Sequence, residues 1–85
     1  MDNATNKALR FISDNPELAK GIGAMAEAFR RNSMDSGTEL PREVLAGFIF
    51  DSFVEITSVN GHSPFADAAM MNVVMAIADS SGFDL

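Results

Sequence analysis

Apolar residues recur along most of this chain at the three-to-four-residue spacing of an α-helix, and three prolines stand where helices would begin. The stretch from Pro16 is the plainest. Leu18, Ile22, Met25 and Phe29 follow the i, i+4, i+7, i+11 rule of one stripe, with Lys20, Glu27 and Arg31 opposite. Glu27 and Arg31 also form an i,i+4 pair of opposite charge. Asn15-Pro16-Glu17 supplies a cap, a proline at the first helical position and an acid at the positive end of the helix dipole. Ser63-Pro64 repeats the arrangement, and Thr38 and Glu39 before Pro41 give a third start, with Glu43 in its first turn. The pattern predicts an all-α fold, a small domain of four helices at about 3–14, 16–32, 41–59 and 64–80. Ser33-Met34-Asp35-Ser36-Gly37 and Asn60-Gly61-His62, both rich in turn formers, connect them. The tail from Ser81 either frays or tucks Phe83 and Leu85 into a groove. The expected organisation is a single domain over 1–85, with no separate linker or targeting segment.

The last two helices are less one-sided. Val44, Leu45, Phe48, Ile49, Ser52, Phe53 and Ile56 fill a wide face of the third, yet Phe50 and Val54 fall on its far side. Phe65, Ala69, Met70, Val73, Ala76 and Ile77 form one face of the fourth, while Ala68, Met71, Met75 and Ala78 form another. A helix with one buried side should present a polar one. Here the apolar circumference exceeds what four short helices hide, which predicts an interface at Phe50, Val54, Met71, Met75, Ala68 and Ala78. Three of the chain's six methionines lie on the fourth helix, and methionine adapts to irregular partners.

Charge sharpens this picture. All six Lys/Arg lie in the first 42 residues, where six Asp/Glu balance them, so the rest of the chain carries the whole formal charge of −6. Without cysteine, neither disulfides nor thiolate zinc sites are available, and a single histidine makes a transition-metal site improbable. Small domains lacking such props often oligomerise, so a homodimer is expected. The longest apolar stretch, residues 68–78, is far below the ~20 residues of a membrane span. A cytoplasmic location is the default.

Chemical motifs give way to structural readings. Gly21-Ile22-Gly23-Ala24-Met25-Ala26 has the letters of a dinucleotide-binding turn, but that turn needs a preceding strand, and these residues sit inside a helix. A close helix crossing at Gly21 explains them better, since glycine inside a helix costs about 1 kcal/mol against alanine. His62-Ser63 pairs an imidazole with a hydroxyl, but adjacent residues rarely reach each other, and Ser63 serves as a helix cap. Asp51, Glu55, Asp67, Asp79 and Asp84 lack calcium-loop spacing and fit solvated rims. Arg30, Arg31 and Arg42 form the one basic cluster in the sequence, beside a third helix too apolar and acidic to face phosphates. The expectation is therefore no catalytic, cofactor or metal site, and no nucleic-acid or membrane partner. The chain is expected to be a small acidic regulator or inhibitor, not an enzyme, that docks a helical surface on a protein partner of basic character. A purely structural homo-oligomer is the alternative, and a helical nucleic-acid-associated regulator a weaker one.

Overall fold

The computed structural model describes residues 2–85. Asp2 opens the first helix, α1 (Asn3–Asp14), by accepting the Thr5 N–H at 2.8 Å. The backbone turns at Asn15, whose Nδ2 donates to the Phe11 carbonyl at 2.9 Å. Asn15 thus satisfies the end of α1 with its side chain and gives the next helix no side-chain cap. Pro16 starts that helix, α2 (Pro16–Asp35), which continues three residues beyond the expected end. Gly37, at φ +83°, breaks the path, and α3 (Arg42–Ile56) follows Pro41. The helix stops at Ile56, where Thr57 returns its hydroxyl to the Phe53 carbonyl at 2.7 Å. Asn60 and Gly61, both at positive φ, then make a tight turn that pairs Val59 with His62. This turn consumes the β-branched run that the sequence pattern assigns to the end of the third helix.

The largest departure from expectation is the start of the last helix, α4 (Met70–Ser81), six residues later than Pro64. Ser63 does cap a turn, accepting the Phe65 N–H at 3.1 Å, and i→i+3 bonds follow, but Ala69 is extended and the helix begins after it. Two interactions favour the break. Phe65 packs with Phe11 and Phe53, ring centroids 5.3 and 5.4 Å away. The Ala69 N–H donates to the buried Thr5 hydroxyl oxygen at 2.8 Å, and that hydroxyl donates in turn to Asp2 at 2.9 Å. A continuous helix from Pro64 would give up both.

Helix α4 touches each of the other three, most extensively α2. Its inner side is Val73, Val74, Ile77 and Ala78. Helix α2 meets the core with small residues, Ala19, Gly23 and Ala26 beside Ile22, while Leu18 and Phe29 are half-buried and Met25 is exposed. The close crossing is at Gly23, where an added Cβ would collide with Ser81 of α4; at Gly21 it would meet nothing within 4 Å. Gly82, at φ +74°, turns the chain back in a Schellman-type end, with the Phe83 N–H on the Ala78 carbonyl at 3.1 Å. The tail tucks in. Phe83 is buried, Leu85 packs on the core, and the Arg30 guanidinium lies 4.7 Å over the Phe83 ring while donating to the Asp84 carbonyl at 2.7 Å.

Candidate protein-binding surface

Helices α3 and α4 run antiparallel, so Arg42 of α3 lies beside Met75 and Ala46 beside Met70 and Met71. Helix α3 turns Leu45, Ala46, Ile49 and Phe53 inward. The circumference left over is only partly polar. Phe50 and Val54, one and two turns beyond Ala46 on α3, remain half-buried. On α4, Met70, Met71 and Met75 keep 41, 39 and 39% of their surface accessible. Met71 and Met75 are one turn apart, and Arg42 approaches the Met75 sulfur at 3.7 Å. Arg42, Glu43, Ala46, Met70 and Met71 line a cleft of about 180 Å³. The result is an apolar strip of Met70, Met71 and Met75 along the α3/α4 seam, with Arg42 and Glu43 beside it.

Four of the six residues expected at an interface reach the surface, Met71 and Met75 on this strip and Phe50 and Val54, half-buried, further along α3. The other two do not. Ala68 and Ala78 are 8 and 4% exposed and belong to the core. Ala78 lies one turn beyond Val74 on the inner side of α4, and Ala68 is in the turn before α4, where the register of a helix begun at Pro64 does not apply. Met70, which periodicity groups with the inner face, is exposed because α4 begins at it.

A second apolar area, which the periodicity does not single out, lies on the opposite flank of α3. Met25, Phe48, Ser52, Glu55 and Ile56 line a cleft of about 390 Å³ between α2 and α3. Met25 and Ile56 are 42 and 49% exposed, and Phe48 stacks on Phe29 at 4.7 Å. Counting Met25 and Ile56 as core hid this cleft. The signal available was that the stripe of α2 is flanked by Ala19, Gly23 and Ala26, small enough to attract the neighbouring helix instead.

The remaining chemical candidates resolve structurally. The Gly21–Ala26 segment is interior to α2. His62 is exposed, and the Ser63 oxygen lies 2.7 Å from the Thr57 hydroxyl. Among the described residues, no three His, Asp or Glu side chains gather to hold a metal ion. The three arginines do not present one basic patch: Arg30 is engaged by Glu27 and the tail, Arg31 by Glu27 at 3.7 Å, and Arg42 by Met75. No described helix is long and apolar enough to cross a membrane. Comparison with protein-family models, with curated proteins and with solved structures finds no match to this chain.

Proposed function

We propose that this chain is a small acidic regulator that acts by occupying a surface of another protein, with the α3/α4 seam as its docking face. The observation that carries this reading is the row Met70, Met71 and Met75, each about two-fifths exposed, with Phe50 and Val54 half-buried further along α3. Contiguous exposed apolar area on a small domain marks an interaction site, whereas isolated apolar residues need no explanation. Flexible thioethers suit a partner surface of irregular shape. A net charge of −6 would speed encounter with a basic partner and act mainly on association rate. The mode is helix packing, with α3 and α4 supplying the apolar ridge.

A homodimer through the same seam is the alternative, and the two-fold rule tests it on charge. The charges placed at the seam, Arg42 and Glu43, balance, so an isologous contact draws nothing from the acidic surplus of the chain, whereas a basic partner does. This favours a different, basic protein. Light scattering separates the two: the heteromeric reading expects a monomer of 9.1 kDa at micromolar concentration, and the homodimer twice that mass. Replacing Met71 with lysine on this exposed position should leave the fold intact and weaken capture of the partner at least tenfold, about 1.4 kcal/mol. Undiminished capture would contradict the assignment of the seam.

A further inference from the structure

Beyond the α4 seam, we propose that the cleft between α2 and α3 is a second docking site, which receives a basic amphipathic helix of a protein partner. Its floor is Met25, Phe48 and Ile56, backed by the Phe29 ring. Its two rims differ in a way that selects the occupant. On the α3 side, Glu55 lines the cleft and Asp51 precedes it by one turn; both are exposed, and no Lys or Arg among the described residues pairs with either. On the α2 side, Gly21 and Ala28 flank Met25 at i−4 and i+3, both exposed and uncharged. A Cβ at Gly21 would meet nothing within 4 Å. Glycine inside a helix costs about 1 kcal/mol against alanine, and at Gly21 the folded chain offers no close contact in return. A helix laid along α2 would make that contact, its backbone approaching where no side chain stands in the way. Its apolar stripe would cover Met25 and Ile56, and cations beside the stripe would face Asp51 and Glu55.

A second copy does not fit as occupant. Two copies joined cleft to cleft set Asp51 and Glu55 against their own equivalents. Joined head to tail, they could set Lys7 and Arg10 against these acids, but such a contact makes a ring or an open filament and not a two-fold dimer.

The test follows methionine and isoleucine methyl signals of the full chain by NMR during titration with a helical leucine/lysine peptide. The probe is about 18 residues with leucines at i, i+3, i+4 and i+7. The control is the leucine/glutamate peptide with the same leucine positions. The expected result is saturable shifts at Met25 and Ile56 with the lysine peptide only, weakened at least tenfold by Gly21→Leu or by Asp51→Lys with Glu55→Lys. All three substitutions are at exposed helical positions that tolerate the new side chains. Equal binding of the glutamate peptide, shifts confined to Met71 and Met75, or no shift at any methyl would each overturn the assignment. Shifts confined to Met71 and Met75 would reject this site while leaving the α4 seam in place. A molar mass that rises with concentration and collapses in Lys7→Glu with Arg10→Glu would replace the helix with a second copy.

Discussion

Gly21 and Gly23 are two residues apart on one helix, and their backbones serve different purposes. Gly23 faces Ser81 with no room for a methyl group, while Gly21 faces open space. Gly23→Ala should therefore lower stability by about 1–3 kcal/mol through overpacking, and Gly21→Ala should raise it by roughly 0.5–1 kcal/mol through helix propensity. Chemical denaturation of the two variants would show the opposite signs; equal effects would contradict the crossing. Thr5 makes a similar point. Its hydroxyl serves Asp2 and the Ala69 N–H, so Thr5→Val should cost about 1–3 kcal/mol by leaving a backbone donor without its partner. Asp2 itself has its carboxyl held below the ordinary carboxylate range, first by the Thr5 N–H and then by the Thr5 hydroxyl. A lowered pKa in the folded state means its contribution is complete above the unfolded value and is lost as pH falls through the folded one. Asp2→Asn should flatten the acid limb of the stability–pH profile and change nothing in its slope near neutrality. Little of this was legible beforehand, because spacing shows that a glycine is internal to a helix but not which neighbour its bare side meets.

At the scale of elements, the first helix keeps its expected bounds, and the second starts where expected because its signal is local: proline at the first turn and an acid beside it. The fourth helix departs because its competitor is not local. Phe65 gains Phe11 and Phe53, 54 and 12 positions away in sequence, and nothing near Pro64 announces them. Helix α3 was legible as too apolar all round, and its outer side does leave Phe50 and Val54 half-buried and Ile56 and Val44 exposed. What spacing could not place was the split of that surplus into two flanks, since small residues on α2 draw the neighbouring helix off the Met25 side. The tail element is held by Phe83 and its Arg30 cover. Phe83→Ala should destabilise the fold by about 2–4 kcal/mol, and Arg30→Ala by less than half of that, since its contacts are partly solvated. Thermal unfolding of the pair reports this ordering, and a larger loss from Arg30→Ala would reverse the roles assigned to them.

The whole molecule has a packed interior with no buried side-chain nitrogen or oxygen left unpartnered among the described residues, and its charge is strongly uneven along the chain. A chain of this size buries only about 60–65% of its unfolded surface, so apolar area left along both flanks of α3 is area withheld from its own stability. That area is the part of the molecule a partner would use, and one measurement tests this directly. The wild-type chain and a Met71→Lys, Met75→Lys variant are each used to isolate proteins from the native host, with circular dichroism and melting temperature confirming that both are folded. The prediction is one protein recovered in stoichiometric amount by the wild type and lost by the variant. Recovery of nothing but the chain itself, or equal recovery by the variant, would contradict it.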